Sequence, residues 1–305
     1  MAVATRTGTV FLNRSSGLIT RNGVAESVAR SLLEADIRPD IKECEKGIDL
    51  SALAQEAVRQ GADIVVAGGG DGTLRAVASA LVNTGVPMGI LPLGKWNHFA
   101  RDLSIPLDVE EAAGTVATGQ TIAVDAAEVN GQVFINNAII GLYPTYRFKR
   151  EHLERKGYRR WLAFFWAVLA VFRRHPFFTI RCYVGGRMVT QTTPFVLVAN
   201  NEHEMQGYHP GSRDRIDAGE LWIYLMRRRG RVGLFRMVLS LLLGRFRRDR
   251  DFDVYRAREA WIEPRQKRVG VALDGEVTIL NTPLHFRSLP GALLVIVPAE
   301  PKQAA

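Results

Sequence analysis

Asp71 stands inside the stretch Gly68-Gly69-Gly70-Asp71-Gly72-Thr73, after the apolar run Ala62–Gly68 (ADIVVAG) and before an amphipathic segment, Thr73–Thr84. A turn from strand to helix offers unpaired backbone N–H groups and the positive end of the helix dipole to an anion. Glycines there permit positive φ and a close approach of phosphate. An acid at that place repels phosphate unless a cation lies between them, or unless the carboxylate handles a proton. Phosphoryl transfer uses both devices: Mg²⁺ neutralises charge, and a carboxylate orients or deprotonates the nucleophile. The P-loop pattern is excluded because no Gly-Lys-Ser/Thr follows, and the dinucleotide fingerprint fails on spacing. The plain alternative is an ordinary turn capped by Asp71 or Thr73. The chemistry of these residues points to a kinase.

The elements that must position this loop alternate in texture. Thr9–Asn13 (TVFLN), Ala62–Gly68 and Pro87–Gly94 (PMGILPLG) are short apolar runs bounded by glycine or proline. Helix-like segments lie at Gly23–Ala35, Leu50–Gln60 and Thr73–Thr84. Strands alternating with helices predict a parallel sheet covered on both faces, with ligands beyond the carboxyl ends of its strands. The loops Asn13–Gly17, Gly68–Thr73 and Gly94–Asn97 should then converge on one edge. From Thr121 onward the texture is mostly antiparallel β, a sandwich or barrel. Asn130-Gly131 and Gly185-Gly186 are hairpin signals. Helical inserts are expected near Glu151–Arg173 and Val232–Phe246. Two domains follow, an α/β domain over 1–125 and a β-rich domain over 126–305.

Charge divides along the same line. Residues 1–125 hold 11 Lys/Arg and 15 Asp/Glu, net −4, while residues 126–305 hold 29 and 16, net +13. The second part suits an anionic membrane face or another polyanion, or carries solvated helix faces. Nucleic acid is disfavoured, because the basic residues lack a recognisable motif or an aromatic platform. The two cysteines, Cys44 and Cys182, show no ligand spacing, and the N-terminus has no apolar leader, so a cytoplasmic setting is expected. The run Trp161–Phe172 (WLAFFWAVLAVF), flanked by Arg159-Arg160 and Arg173-Arg174, is too short to span a bilayer. It reads as a buried helix or as an interfacial one.

Several motifs resemble those of the diacylglycerol kinase catalytic domain superfamily, which includes soluble bacterial lipid kinases, sphingosine kinases and, more distantly, NAD kinases. GGGDGT is similar to its Gly-Gly-Asp-Gly-Thr signature, and NRSSG (Asn13–Gly17) to its first loop. LPLGKWNHFARDLSIP (Leu91–Pro106), RIDAGEL (Arg215–Leu221) and VALDGE (Val271–Glu276) resemble later family elements, in the family's order. The Thr-Gly-Ser-Thr-Ala-Tyr element of NAD kinases is missing, and the soluble bacterial lipid kinase branch fits best.

The resemblance implies a lipid kinase with ATP and Mg²⁺ between two domains, acting on diacylglycerol or a related lipid and visiting the membrane transiently. Gly69, Gly70, Gly72 and Thr73 would hold phosphates, with Asn13 and Asn97 lining the nucleotide pocket. Asp71 would serve the metal and the transfer site. Asp274 would be the general base, with Glu276 beside it; locally, Asp274-Gly275 is equally a hairpin turn. Asp217 is a turn residue or, as the resemblance suggests, part of a structural Mg²⁺ loop. Asn136, Asn137 and Gly141 resemble a segment facing the site, and Glu202, His203, Glu204 and His209 read as a polar loop rather than a metal site. His98 replaces the family's aspartate and is either solvent-facing or catalytic. Lys95 replaces the family's threonine, either contacting phosphate as a point charge or obstructing the site. The second reading makes the chain a catalytically weak lipid- or nucleotide-binding protein. Oligomeric state, a homodimer included, is not fixed by sequence.

Overall fold

The computed structural model describes residues 6–14, 23–45, 47–141, 144, 177–203, 213, 215–227 and 252–299. The two expected helical inserts and the run Trp161–Phe172 lie outside these residues. The chain divides into two compact units, one of 1–126, 216–218 and 289–305, the other of 127–215 and 219–288. The first unit is therefore assembled from three separate stretches of chain.

In the first unit, β1 (Arg6–Asn13), β3 (Ile64–Gly69) and β4 (Met88–Pro92) form from the three apolar runs. β3 and β4 are buried throughout, as parallel strands covered on both faces must be. A fourth strand, β2 (Ile37–Cys44), escaped the sequence reading. Its sequence IRPDIKEC is mostly polar because it lies at the sheet edge, paired only with β1 from Arg6↔Ile37 to Asn13↔Cys44. The strand order is β2-β1-β3-β4, all parallel. The end of β16 (Leu284–Val297) adds a further parallel strand, with Val295 opposite Met88.

The helices α1 (Val24–Glu34), α2 (Leu50–Arg59) and α3 (Asp71–Leu81) form where the apolar spacing predicts them. Two shorter helices, α4 (His98–Asp102) and α5 (Val109–Thr118), were not foreseen. α5 begins at Asp108, whose carboxylate accepts the N–H groups of Glu110 and Glu111. α1 packs with α5 and α2 with α3. Right-handed crossovers place these pairs on opposite faces, because the chain leaves β1 toward β2 but leaves β3 toward β4. The strand order thus reverses between β1 and β3.

The second unit is a sandwich of antiparallel strands. One sheet contains β8 (Phe178–Val184), β9 (Arg187–Thr193), β13 (Glu259–Pro264) and the start of β16. The hairpin of β5 (Gln120–Val129) and β6 (Gln132–Phe134) joins it through β16. The other sheet has the order β12-β11-β10-β7-β14-β15. Its strands are β7 (Asn137–Gly141), β10 (Phe195–Asn200), β11 (Leu221–Met226), β12 (Phe252–Ala257), β14 (Arg268–Leu273) and β15 (Glu276–Asn281). Ile180, Cys182, Ile262 and Phe286 from the first sheet meet Val196, Val198, Ile223 and Val271 from the second in one core.

Both hairpin signals hold. Asn130 and Gly131 have φ 48° and 78°, and Gly185 and Gly186 have φ 56° and 75°. Positive φ at both central residues matches the twist of the flanking strands.

Candidate active site

The end of β1 and the loops that follow β3 and β4 come together at the carboxyl ends of these strands; residues 15–17 of the first loop lie outside the described residues. Asn13, the last residue of β1, donates its side-chain N–H to Thr73 Oγ1 at 2.8 Å, across the point where the strand order reverses. That crevice is where open α/β sheets bind ligands. Thr73 is buried in the first turn of α3, and no side chain caps that helix. Its first backbone bond runs from Leu74 N–H to Gly70 O, at 3.0 Å. The N–H groups of the opening turn thus face the crevice end without a side-chain acceptor from their own loop, the arrangement that receives a phosphate.

Gly68 and Gly69 serve packing rather than backbone freedom, which corrects one expectation. None of Gly68, Gly69, Gly70 and Gly72 has positive φ. A Cβ at Gly68 would meet Leu12 Cδ2 at 2.6 Å, so a larger residue there would have to displace that buried side chain. At Gly69 it would run into the Thr73 side chain, closing the bend from β3 into α3. Gly94 lies against the backbone of Gly70, and its Cβ would also approach Asn97 Oδ1 to 2.7 Å. The two glycine loops therefore touch through bare backbone.

Asn97 builds the second loop. It is buried, with φ 50°, and its side-chain oxygen accepts Gly94 N–H at 3.0 Å. Its amide donates to Pro92 O at 3.0 Å and Gly94 O at 3.1 Å. Asp71 then ties the loops together: its Oδ1 accepts the N–H of Phe99 at 3.2 Å, in the first turn of α4. Asp71 caps a helix, as the plain reading held, but α4 rather than its own.

Lys95, Trp96 and His98 project outward from this scaffold and are exposed. Lys95 Nζ lies 5.2 Å from the centre of the Trp96 ring, and the Trp96 and His98 rings stack at 6.1 Å. Arg101 Nε donates to Trp96 O at 3.1 Å. Asp217 is exposed on the short segment 216–218, which belongs to the first unit and is tied to it by Asp125 N–H donating to Ile216 O at 2.9 Å.

In the second unit, Asp274 occupies a β14–β15 hairpin with φ 46°, followed by Gly275 at 87°. The sequence allowed a turn or a reactive carboxylate, and the turn is present. The carboxylate is also held: Oδ2 accepts Ile135 N–H at 2.8 Å, and Oδ1 accepts Asn136 N–H at 2.8 Å and Asn137 N–H at 2.9 Å. A residue missed in the sequence, Arg213, braces the same segment from behind. Its buried guanidinium donates to Ile135 O at 2.7 Å, Asn136 Oδ1 at 2.9 Å and Asn200 O at 3.2 Å. Only its place beside RIDAGEL could have drawn notice. Glu276 is exposed at the start of β15, and the ring of His203 is buried with Nδ1 3.3 Å from Asn201 O. Glu204 and His209 lie outside the described residues. Among the described residues no three His, Cys, Asp or Glu side chains gather as a metal cage. A Mg²⁺ at Asp71 would fit the usual pattern of one or two carboxylates plus substrate phosphates and waters.

The fold and loops define an α/β unit with an uncapped helix start at its switch point, followed in the chain by a β-sandwich unit. Residues 7–129 match the diacylglycerol kinase catalytic domain, and residues 150–297 match the YegS C-terminal NAD kinase beta sandwich-like domain. The chain belongs to the diacylglycerol kinase catalytic domain superfamily. Over 101 residues it is 39% identical to proteins named "Probable lipid kinase YegS-like" from Yersinia pestis (strain Pestoides F) and Yersinia pseudotuberculosis serotype O:1b (strain IP 31758). That stretch is 32% of this chain and 34% of each relative, so the match spans about a third of the length of these curated relatives. A diacylglycerol kinase of Bacillus anthracis str. Sterne shares the fold, with TM-score 0.69 and 20% identity over 96% of this chain and 97% of that one. A second structure from the same strain has TM-score 0.74 and 23% identity, over 96% and 95% of the two chains.

Proposed function

We propose that this protein is an ATP-dependent lipid kinase that transfers the γ-phosphoryl group to a lipid hydroxyl, with diacylglycerol as acceptor and phosphatidic acid as product. The observation that carries the reading is the uncapped start of α3 at the β1/β3 switch point, with Asn13, Asp71 and the Gly94–Asn97 loop fixed around it. The family membership supports it. In the reaction the lipid oxygen bonds to the γ-phosphorus as the bond to the β–γ bridging oxygen breaks. ADP leaves with the electron pair, and the hydroxyl proton passes to Asp274. The opening turn of α3 would hold phosphate oxygens, and Asp71 would hold Mg²⁺, which would supply charge neutralisation. Transfer of label from γ-labelled ATP to a panel of lipid hydroxyl acceptors tests this, with Asp274→Asn as control. Label entering diacylglycerol with wild type alone is the expected result; equal, background incorporation by both proteins overturns it.

A second reading, a catalytically weak lipid- or nucleotide-binding protein, is favoured by one observation. Lys95 stands where the family has threonine and directs its ammonium over Trp96. ATP affinity of Lys95→Thr separates the readings. A marked gain on losing the lysine would mean that Lys95 obstructs the site.

A further inference from the structure

Four side chains form one row across the outer face of a sheet in the second unit. Met188 on β9 is opposite Tyr183 on β8, Tyr183 is opposite Trp261 on β13, and Trp261 is opposite His285 on β16. Directly opposed residues on one face have Cβ atoms about 5 Å apart, so the row is continuous. Met188 is 70% exposed, Tyr183 50% and Trp261 39%. The Trp261 and His285 rings lie parallel, 3.7 Å between centroids. The alternate residues Cys182, Val184, Ala260, Ile262 and Phe286 point the other way and fill the sandwich core. The core therefore does not account for the strip. A water-facing side of an antiparallel sheet is normally polar.

The charges around the strip are matched. Glu263 pairs with Arg181 at 3.6 Å, Glu259 meets His285, and Glu128 meets Arg287. Arg187, beside the Gly185-Gly186 turn, and Arg258 add exposed cations. Glu263 and Glu128 thus face arginines and Glu259 the His285 ring, and the part of the chain that carries the strip, residues 126–305, has net +13. Indole and phenol rings settle at the headgroup level of bilayers, where an apolar body and a polar edge are both satisfied. Arginines beside them are drawn to anionic lipid.

We propose that the Met188–Tyr183–Trp261–His285 strip is a docking face for the headgroup region of an anionic membrane, through which the protein reaches its lipid acceptor. The purpose assigned to docking rests on the lipid-kinase reading; the surface itself does not. The test is cosedimentation of the full chain, and of a variant carrying Trp261→Ala and Tyr183→Ala, with vesicles of equimolar phosphatidylglycerol and phosphatidylcholine. The expected result is about tenfold weaker binding by the variant, with unchanged phosphorylation of a short-chain diacylglycerol in free solution. Equal vesicle affinity of the two proteins overturns the proposal. So does a wild-type dimer that the variant turns into monomer while vesicle binding stays the same, since the strip would then be a self-association face. Selective loss of oligonucleotide binding would overturn it too. If no lipid accepts phosphate but vesicle binding falls, the docking face stands and the kinase reading fails. Should the double variant unfold, Met188→Glu on the edge strand β9 carries the same comparison.

Discussion

The carboxylate of Asp71 accepts the backbone N–H of Phe99 at 3.2 Å, so the acid of the first glycine loop caps the helix that follows the second. Asparagine at 71 keeps an oxygen for that bond and drops the charge. Asp71→Asn should melt within about two degrees of wild type, while lipid phosphorylation falls about 100-fold. Asp71→Ala should lose the cap as well, at about 1 kcal/mol. Calorimetry beside a labelled-transfer assay checks both; a fully active asparagine variant would leave Asp71 only its capping role.

The contact between Gly70 and Gly94 predicts an asymmetry. A Cβ at 94 would collide with the Gly70 backbone and come 2.7 Å from Asn97 Oδ1, whereas a Cβ at 70 meets nothing closer than 3.4 Å. Gly94→Ala should cost about 1–3 kcal/mol, and Gly70→Ala well under that. Urea denaturation of the two variants reads the difference.

Asp274→Asn should fold, because asparagine tolerates the left-handed backbone at this turn. One amide oxygen then replaces two carboxylate oxygens that accept three N–H groups. The variant should lose about 1–3 kcal/mol of stability. Its transfer rate, measured well below its melting point, should fall about 100-fold if Asp274 takes the proton. A variant that is less stable but equally active would mark Asp274 as an anchor for the 135–137 segment.

Burial raises the Cys182 thiol from 9.0 to about 11. The unfolded chain therefore ionises this thiol at lower pH than the folded one, binding fewer protons between those values. Stability at Cys182 is full below pH about 9 and declines as pH rises toward 11. Cys182→Ala should flatten that part of the stability–pH curve, as followed by denaturant titration. In native protein at neutral pH, Cys182 should resist thiol reagents until unfolding.

Much of the fold was legible because burial on both faces writes itself into β3 and β4 as uninterrupted apolar runs. The hairpins at Asn130-Gly131 and Gly185-Gly186 were legible because few residues accept positive φ. β2 was not, since an edge strand needs few apolar residues, and α4 was too short to show a period. In the site, the end of β1 and the two glycine loops could be placed from sequence, but not the cross-links between them. Nothing local in GGGDGT says that Asp71 serves Phe99, or that Asn97 spends its amide on Pro92 and Gly94. Arg213 was invisible for the same reason: the acceptors Ile135 O, Asn136 Oδ1 and Asn200 O lie 13 to 78 positions away.

The sheet that holds the glycine loops takes in residues 289–297, where Leu293 and Val295 are fully buried and Asn83 N–H donates to Ala292 O at 2.8 Å. On the ribosome, all of the second unit is synthesised before those residues appear. The first unit, although its strands β1 to β4 precede the sandwich, must therefore wait with an open sheet edge beside β4 while the sandwich is being made. Vectorial synthesis thus orders assembly against the sequence: the sheet begun before the sandwich is completed after it.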